Sequence, residues 1–409
     1  MKILLPVFLV IITSLMAYSQ PSSGLIAYYQ FENDLTDSQG NVINEGIPLD
    51  EPSYGCGITG QSLNFNGGTD EVRFDGQVRE GFNTTNNFTL SLYFKANTNS
   101  GEMYLISKSR TNCEEQNVFF IKYQALSRTI NVFLKEEDNR EINIIAQLSN
   151  NACWHHLVVT RNGGTVRVYG DGRFLREEST IGRIDLANEG NLVLGASDCA
   201  RQNELPFNGV MDELRVYNRG LSEDEIRELY VAPERIATRD TVVFLGNPVQ
   251  MSLTANCANR FEWFPSSGVS QTNAPNPEIT PFAQGDNFYS VQLTDASSGC
   301  VASDSIRITV VDPTTLDCSE VYLPNVFTPN NDGVNDTYGI SNPYAIQELI
   351  SFEIFDRWGS RVFATGDPFN RWDGTYRSKK VNPGVLQYKV RYTCRGEEQE
   401  RFGTLMVMR

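Results

Sequence analysis

Hydrophobic and polar residues alternate in short stretches along the first half of the chain, and clusters of Gly, Asn and Asp separate these stretches. Alternation with a period of two is typical of half-buried β-strands, and many such strands with almost no helix predict a sandwich or barrel. The Asn162-Gly163-Gly164 and Asp171-Gly172 sequences fall between strands and predict hairpin turns. The clearest predicted strands are 88–94, 104–107, 118–123, 130–134, 142–145, 156–160 and 166–169.

One helix is predicted, close to residue 225. Ser222 is a favoured N-cap residue, and Glu225 stands where it completes a capping box. Ile226, Leu229 and Tyr230 fall on one face of this helix. We therefore expect the helix to pack against an edge of the sandwich and to close the domain.

Two further groups of strands follow a break at Pro233. The first group is a small β unit in which Cys257, Trp263 and Cys300 occur in that order, with strands predicted at 241–244, 249–253, 261–263, 288–293 and 306–310. The second group begins with a run of turn-forming residues that ends at Asp336. It continues as a small all-β module over 352–363, 372–376, 383–392 and 403–408.

The bulk composition is typical of a soluble exported protein. A chain of 409 residues has room for about two to four domains, and a hydrophobic fraction of 40% is enough for packed cores. The net charge of −16 argues against binding to nucleic acid or to anionic membranes, because both would repel the chain.

The first residues are typical of a secretory signal peptide. Lys2 supplies a positive charge, residues 3–16 form an apolar stretch too short to span a bilayer, and Ala17-Tyr18-Ser19 provides a cleavage site before Gln20. We therefore predict a signal peptide over residues 1–19. No later stretch is long and apolar enough to predict a transmembrane segment.

Four motifs occur in order in the C-terminal module: Phe327-Thr-Pro-Asn-Asn-Asp-Gly-Val-Asn-Asp336, Phe355-Asp-Arg-Trp-Gly359, Trp372-Asp-Gly374 and Pro383-Gly-Val385. Together they resemble the gliding-motility-associated C-terminal domain of Bacteroidetes proteins, the type B sorting signal of the type IX secretion system. The resemblance implies that residues 314–409 direct export and that the type IX machinery at the outer membrane is a partner. The implied sorting residues are Phe327, Thr328, Pro329, Asn330, Asp332, Gly333, Asn335, Asp336, Trp358, Gly359, Trp372, Asp373 and Gly374.

Seven segments lie upstream, at 25–31, 61–67, 88–94, 105–108, 154–160, 192–195 and 207–217. They resemble the laminin-G-like branch of the concanavalin A-like lectin/glucanase fold, in which the first and last strands pair. Residues 233–313 resemble the Ig-like or PKD-like spacers of Bacteroidetes surface proteins. We therefore predict an all-β chain: a concanavalin A-like jelly-roll sandwich over 20–232, followed by two small β-sandwich domains over 233–313 and 314–409.

No constellation of catalytic residues is found in the sequence. Glucanases of this fold use paired carboxylates at alternating strand positions, whereas the acidic cluster 136–141 is interpreted as a solvated hairpin turn. Asp212 and Glu213 are adjacent and should face opposite sides of their strand, as should His155 and His156. GxSxG, HExxH and phosphate-binding glycine motifs do not occur. We therefore expect no enzyme activity.

A structural calcium ion is the one cofactor that the sequence suggests, and no cofactor is certain. Calcium prefers carboxylate and carbonyl oxygens, which Asp34, Asp37 and Asn41 could supply from one early turn. Asp212 could join them if the first and last strands pair, as the resemblance implies. The 330–336 run lacks carboxylates where an EF-hand needs them and is interpreted as an Asx turn.

Eight cysteines in an exported chain indicate disulfides rather than a metal or redox site, and none has CxxC spacing. They fall into an upstream group of four and two downstream pairs, so each domain could close its own bridges. The residues alone leave the pairing of the first group open. The laminin-G-like resemblance favours Cys113–Cys199, which leaves Cys56–Cys153. The other expected pairs are Cys257–Cys300 and Cys318–Cys394.

The leading hypothesis is a non-catalytic, secreted or cell-surface protein of binding and adhesion. Its lectin-like head would recognise a glycan or a surface or matrix protein, the middle unit would act as a spacer, and the tail would direct export through the periplasm and the type IX system. Aromatic side chains could stack on sugar rings, although each could instead lie in a core. The candidates are Tyr28, Tyr29, Tyr54, Tyr104 and Tyr123.

Two alternatives stay open from the sequence. One is a glycoside hydrolase or lyase of the concanavalin A-like fold, for which Asp212 and Glu213 are the residues to test. The other is a purely structural adhesin without a small ligand.

Overall fold

The computed structural model of the chain describes residues 21–84, 87–137, 140–149, 152–315, 317, 321–330, 335–377 and 379–408. The predicted signal peptide, Cys318, Asp332 and Gly333 lie outside the described residues. The chain divides into two compact units. The first holds the residues up to Arg235 together with Leu253–Glu262 and Gln292–Asp304, and the second holds Ile236–Ser252, Trp263–Val291 and the chain from Ser305 onward.

The upstream part of the chain is built almost entirely from strands, as predicted. These strands are β1 (Leu25–Tyr29), β2 (Ile47–Pro48), β3 (Ser53–Cys56), β4 (Gln61–Asn66), β5 (Val72–Phe74), β6 (Asn87–Ala96), β7 (Glu102–Lys108), β8 (Val118–Gln124), β9 (Thr129–Glu137), β10 (Arg140–Gln147), β11 (His155–Asn162), β12 (Thr165–Gly170), β13 (Arg173–Ser179), β14 (Leu192–Leu194), β15 (Glu204–Pro206) and β16 (Asn208–Tyr217).

The strands form two eight-stranded sheets that share one hydrophobic core. The first sheet has the order β13-β12-β11-β6-β16-β4-β3 with β1 paired to β16, and the second has the order β10-β9-β8-β7-β14-β5-β2 with β15 paired to β7. Leu90 and Leu92 of the first sheet and Ile121 and Val132 of the second lie in one buried cluster. The predicted pairing of the first and last strands is confirmed by the β1–β16 ladder.

The outer faces of the two sheets are covered differently. β6, β11 and β16 are buried along most of their length, because further side chains pack on their outer side and form clusters such as that of Val158, Ile226 and Leu229. β9 and β10 alternate between buried and more exposed positions instead. Alternation of this kind marks a sheet with one solvated face. The outer face of the second sheet is therefore accessible.

Two α-helices accompany the sheets: α1 (Gly76–Thr84) and α2 (Glu223–Leu229). α2 is the predicted helix, and its capping box is present, because Ser222 Oγ accepts from the Glu225 N–H while the Glu225 carboxylate accepts from the Ser222 N–H. α1 was not predicted. Its only buried apolar side chains are Val78 and Phe82, and this single i,i+4 pair is a weak signal beside two glycines.

The downstream strands are β17 (Thr241–Phe244), β18 (Val249–Gln250), β19 (Arg260–Phe264), β20 (Glu278–Ile279), β21 (Gly285–Asp295), β22 (Cys300–Val311), β23 (Val326–Phe327), β24 (Glu348–Phe355), β25 (Arg361–Thr365), β26 (Thr375–Tyr376), β27 (Lys379–Lys380), β28 (Gly384–Cys394) and β29 (Glu397–Val407). The sheet orders are β17-β22-β21-β19, β18-β20, β23-β29-β28-β24-β25 and β26-β27. Among the described residues no helix has the length and apolarity needed to cross a membrane. The predicted boundaries after residues 232 and 313 stay predictions.

Two of the predicted disulfides are wrong. Cys56 bonds to Cys257 and Cys153 bonds to Cys300, with Cα–Cα distances of 5.8 and 5.9 Å, so neither the predicted Cys56–Cys153 nor the predicted Cys257–Cys300 pair forms. The physical reason is that Leu253–Glu262 and Gln292–Asp304 belong to the same compact unit as the upstream sandwich. A disulfide requires close Cα atoms, and an even count of cysteines in a sequence segment does not supply that closeness.

The remaining predicted pairs have different outcomes. Cys113 and Cys199 are bonded as predicted, with a Cα–Cα distance of 5.3 Å. The Cys318–Cys394 prediction involves Cys318, which lies outside the described residues.

Candidate functional site

The accessible outer face of the second sheet carries two rows of side chains that cross its strands. Cross-strand partners on one face of a sheet lie close together, so each row forms a continuous strip. In the first row Tyr104 lies opposite Lys122, and Lys122 lies opposite Asn131. The second row consists of Ser107, Phe120, Phe133 and Asn143. We call these seven residues, with the space of about 640 Å³ above them, the sheet groove.

A β-bulge in β7 aligns the two rows. The register of β7 against β8 shifts between Tyr104 and Ile106. As a result Leu105 and Ile106 both lie in the hydrophobic core, whereas Tyr104 and Ser107 line the groove. A bulge redirects the side chains that follow it. Strict alternation would have placed Tyr104 and Ile106 on one face.

Three aromatic rings form the apolar part of the groove. The rings of Phe120 and Phe133 are nearly parallel, with an interplanar angle of 22° and centroids 4.8 Å apart. Tyr104 meets Phe120 edge-on, with centroids 5.9 Å apart. The Lys122 Nζ lies 4.3 Å from the Phe120 centroid and 4.8 Å from the Tyr104 centroid. Cation–π attraction therefore holds the lysine between two of the rings.

The charge of Lys122 is balanced within the groove. Its Nζ forms an ion pair with Glu204 and lies 3.7 Å from Glu102 Oε2. Glu204 Oε2 also accepts from the Tyr104 hydroxyl at 2.5 Å and from the Arg201 N–H at 2.8 Å. Partial burial acts to raise the pKa of Glu204, but these donors and Lys122 together lower it. The carboxylate thus stays ionised and fixes both the lysine and the tyrosine.

Two amide side chains give the groove hydrogen-bonding capacity. The Oδ1 of Asn131 is buried and has no hydrogen-bond partner among the described residues. Asn143 lies in the adjacent row and is exposed. Buried polar atoms are paired in the large majority of cases, so an unpaired acceptor in a groove suggests that a ligand donates to it.

A disulfide connects the two loops that border the groove. Cys113 and Cys199 both line the groove and are bonded to each other. Glu115, from the first loop, forms an ion pair with Arg201 of the second. The rim is therefore held by a covalent link and a charged contact.

Only one of the five predicted sugar-stacking tyrosines lies in the groove. Tyr104 lines it, but Tyr29 and Tyr123 belong to the hydrophobic core and Tyr54 packs against that core. Tyr28 lies elsewhere, where its ring stacks against the Arg215 guanidinium at 3.9 Å. Phe120, Phe133 and Asn131 were not among the predicted ligand-binding residues, although their alternation with core residues along β8 and β9 could have indicated an outward strip.

The four predicted calcium ligands are engaged in separate hydrogen bonds. Asp34 Oδ1 accepts from Thr36, and Asn41 donates to Gln77. Asp37 is 4% exposed, and its two oxygens accept from Tyr28 N, Gln39 N and the Asn44 amide. Within the part of the chain that the structure describes, no group of three or more acidic, His or Cys side chains could hold a metal ion. Calcium at these residues stays a prediction.

Asp212 and Glu213 are buried and lie in a bulge of β16. Asp212 Oδ2 accepts from the N–H of Ile58 at 2.7 Å, while Glu213 Oε2 accepts from the Tyr28 hydroxyl at 2.6 Å. Burial and the charge of Glu213 raise the pKa of Asp212 to about 8, against the opposing effect of its backbone donors. Glu213 also forms an ion pair with Arg215 at 2.5 Å. These contacts give the two side chains a role in holding β16 in place.

The two histidines lie in different environments. His155 Nδ1 lies 3.3 Å from an Asp171 carboxylate oxygen. The ring of His156 is stacked on Tyr93 with centroids 4.4 Å apart, and its Nε2 lies 2.8 Å from Ser91 Oγ. Burial lowers the pKa of His156 to about 3, so this ring is neutral near pH 7. Both contacts are those of structural histidines.

Four of the described sorting residues are buried in the C-terminal module: Phe327, Pro329, Trp372 and Gly374. Phe327 is buried against Tyr338 and Trp372, with ring centroids 5.5 and 5.4 Å away. Gly374 has a positive φ of 78°, and a Cβ there would lie 2.9 Å from Pro329. Asp373, Thr328 and Asn335 take part in turns through Thr375 N···Asp373 Oδ1 and Thr328 N···Asn335 O hydrogen bonds. Asn330 and Asp336 also have interaction partners.

Trp358 is the one exposed aromatic residue among the described sorting residues. It is 83% exposed, at the turn that connects β24 and β25. Gly359 follows it with a φ of 80°. A tryptophan presented to solvent in this way contributes little to the core and suits contact with another molecule.

Several solved structures are similar to this chain at a low level. One is domain 4 of AbnA, a GH43 extracellular arabinanase from Geobacillus stearothermophilus, in complex with arabinotriose (20% identity, 51% of this chain and 98% of that chain, TM-score 0.41). Another is the CBM40 of Ruminococcus gnavus IT-sialidase (15%, 42% and 96%, TM-score 0.34), and a third is the binding domain of Paraclostridial Mosquitocidal Protein 1 (13%, 90% and 75%, TM-score 0.44). Likeness at this level leaves the ligand open. No curated protein matches the sequence.

Two segments of the sequence match known families. Residues 66–227 match Laminin_G_3, of the concanavalin A-like lectin/glucanases superfamily. Residues 321–407 match CHU_C, the type IX secretion signal domain. Each match falls within the predicted module of its kind, 20–232 or 314–409. The chain therefore carries a laminin-G-like domain of the concanavalin A-like superfamily, joined to a type IX secretion signal domain.

Proposed function

We propose that this protein is exported through the type IX system and binds glycans, without catalysis, in the sheet groove. The observation that carries the proposal is the combination of Phe120, Phe133 and Tyr104 with the unpaired Asn131 acceptor on one accessible sheet face. Aromatic faces stack on the C–H faces of sugar rings, while amides exchange hydrogen bonds with hydroxyl groups. The size of about 640 Å³ suits a short oligosaccharide.

The charges in the groove favour a neutral glycan over a strongly acidic one. Lys122 is the cation nearest the aromatic rings, and it is already paired with Glu204. Glu114 and Glu115 also line the rim, and Glu115 pairs with Arg201 there. An anionic sugar would have to displace Glu204 from the lysine, which leaves a buried carboxylate without its partner. Catalysis by Glu204 is disfavoured because this carboxylate is already paired with Lys122 and bonded to the Tyr104 hydroxyl.

The test is a glycan array and polysaccharide pull-down with the mature chain from residue 20, run in calcium and in chelator. Phe133→Ala removes one stacking face and should weaken binding about tenfold, as the loss of about 1–2 kcal/mol of stacking predicts. Asn131→Ala should weaken binding of the same glycans. Phe174→Ala is the matched control, because Phe174 is also an exposed phenylalanine, 49% accessible, on β13 of the other sheet.

Four results would redirect the proposal. Glycan binding that survives Phe133→Ala and Asn131→Ala would place the ligand elsewhere. Loss of binding in chelator would indicate that calcium takes part in ligand binding. Absence of binding to every glycan would favour a protein ligand or a structural adhesin. Release of reducing ends from a polysaccharide would favour the hydrolase alternative.

Export through the type IX system rests on the signal domain at residues 321–407. A reporter that carries residues 314–409 behind a signal peptide should reach the medium or the cell surface of a type IX-competent host. Equal export from a host with a disrupted type IX system would contradict this part of the proposal.

A further inference from the structure

The C-terminal module contains a second concave site, separate in sequence from the sheet groove. It has a volume of about 500 Å³ and is formed by the β24–β25 turn, the β26–β27 hairpin and the start of β28. Val362 and Leu386 are buried apolar residues among its lining side chains. We call this site the basic pocket, and its rim consists of Arg357, Trp358, Tyr376, Arg377, Lys379 and Lys380.

The β24–β25 turn presents two of the rim residues to solvent. Asp356 Oδ1 accepts from the N–H groups of Trp358 and Ser360, each at 2.8 Å. The N–H of Asp356 in turn donates to the Ser360 carbonyl at 2.9 Å. Asp356 is the only carboxylate among the described lining residues, and it is occupied in holding this turn. Arg357 and Trp358 are thereby fixed at the tip, and both are exposed.

The β26–β27 hairpin supplies the opposite side of the rim. Tyr376 lies opposite Lys379 in this ladder, and Thr375 lies opposite Lys380. The Arg377 guanidinium lies 5.2 Å from the centroid of the Tyr376 ring. Two lysines, an arginine and a tyrosine therefore face the pocket from one short hairpin.

The four cations of the rim lack the ion pairs that neighbouring cations have. Within the residues that the structure describes, Arg357, Arg377, Lys379 and Lys380 form no salt bridge. Cations on the adjoining strands are paired across the sheet, as in Arg361–Glu353 at 2.6 Å, Lys389–Glu400 and Arg391–Glu398. Four like charges close together repel each other. Their concentration in a chain of net charge −16 indicates a site for an anionic ligand.

We propose that the basic pocket docks an acidic peptide segment of a protein of the type IX export machinery. This inference rests on the proposed export function. Carboxylates of the segment would pair with the rim arginines and lysines, while an apolar side chain beside them would enter between Trp358 and Leu386. A concave site with an apolar floor fits an inserted side chain better than it fits the flat surface of a bilayer.

The first test follows export of the full chain from a type IX-competent host. The pocket variant is Arg357→Gln/Lys379→Gln/Lys380→Gln. The matched control is Arg361→Gln/Lys389→Gln/Arg391→Gln, which removes the same charge from the same module. The pocket variant should leave at least about tenfold less protein in the medium and at the surface, with folded chain retained in the periplasm, because its docking affinity falls. The control should stay within about twofold of the unmodified chain.

Export of the unmodified chain shows whether a negative result concerns the basic pocket or the proposed export function. If it is not exported, or is exported equally without the type IX system, the proposed export function fails. If it is exported by that system and the pocket variant leaves the cell equally well, the basic pocket is not the docking site. Trp358→Ala provides a second variant with little risk to folding, because this side chain is 83% exposed. It should also reduce export.

The second test identifies the ligand class with the purified full chain. The probes are a fluorescent peptide of alternating Glu and Leu, vesicles containing phosphatidylglycerol, and gel filtration of the chain alone. Peptide binding that weakens with salt and is lost in the pocket variant would support the proposal. Vesicle binding without peptide binding would overturn it in favour of a lipid surface. Self-association lost in the pocket variant would overturn it in favour of a second copy of the chain.

Discussion

Replacing His156 with phenylalanine should reduce the dependence of folding stability on pH. The imidazole is 1% exposed, its Nδ1 has no partner among the described residues, and its Nε2 lies 2.8 Å from Ser91 Oγ. Burial, with a further contribution from the charge of Arg215, lowers the pKa of His156 to about 3, although Asp171 acts in the opposite direction. The folded protein therefore resists protonation of this ring.

The sign and size of the effect follow from proton linkage. Histidine in the unfolded chain has a pKa of about 6.5, so between about pH 6.5 and pH 3 the unfolded state binds a proton that the folded state does not. Stability is complete above the unfolded pKa and falls as the pH decreases through this window. At about pH 4 the loss from His156 alone amounts to roughly 3 kcal/mol, at 1.36 kcal/mol for each pH unit.

Phenylalanine retains the stack on Tyr93 but removes the hydrogen bond to Ser91 and the titrating group. We expect His156→Phe to be less stable than the unmodified chain by about 1–2 kcal/mol at pH 7, and equal or more stable at pH 4. Ser91→Ala is the control, since it removes the same hydrogen bond and keeps the imidazole. Urea unfolding at several pH values measures both. Parallel stability curves for His156→Phe and the unmodified chain would refute the assignment of a buried, neutral His156.

Three further predictions concern the first compact unit. Lys95→Met should destabilise it by about 3 kcal/mol in thermal unfolding, because it leaves the 5%-exposed Asp295 without its ion-pair partner. Peptide mapping without reduction should recover Cys153 linked to Cys300, and replacing both with serine should cost about 2–4 kcal/mol. Ser222→Ala should lower stability by about 1 kcal/mol through loss of the α2 cap, and Ser222→Asp should restore most of it.

The strands could be predicted from the sequence where one face is buried and the other is not. The predicted strands 130–134 and 166–169 lie within β9 and β12, where apolar and polar residues alternate over 130–132 and 166–168. β13 gave no such signal. Its side chains are almost all exposed and mainly charged, and it exists because its backbone pairs with β12 along an edge of the first sheet. Backbone pairing of this kind leaves no pattern in the side chains.

The disulfide pattern could be predicted only in part. Cys113–Cys199 was inferred from a resemblance and is present, since both cysteines belong to the sandwich itself. The pairs of Cys56 and Cys153 are formed over sequence separations of 201 and 147 residues, with partners outside the predicted domain. Grouping the cysteines by domain assumed that each domain forms disulfides only within itself. The assumption failed because two later segments pack into the first unit.

Alternation in the sequence could indicate outward-facing residues on β8 and β9 but not the sheet groove itself, because the groove depends on strand register. Tyr104, Phe120 and Phe133 come from three strands, and only the pairing of these strands places the rings of Tyr104 and Phe133 within 6 Å of the Phe120 ring. A shift of one residue in a strand would turn its side chain into the core. The bulge at Leu105 also shifts the register of β7, and an alternating pattern in the sequence does not reveal such a shift. Candidates chosen one residue at a time, such as Tyr123, therefore have a suitable aromatic side chain that faces the core instead of the groove.

Ligand binding and export are assigned to different residues, so changes in one site should leave the other intact. The sheet groove lies in the first compact unit and the basic pocket lies in the second. The groove residues lie on the outer face of the second sheet, outside its hydrophobic core, and the rim residues of the pocket are exposed. Phe133→Ala should therefore be exported normally and bind weakly, and the pocket variant should bind normally after purification and be retained in the cell. A variant that loses both glycan binding and export would indicate unfolding. Binding and export therefore have to be measured together on each variant.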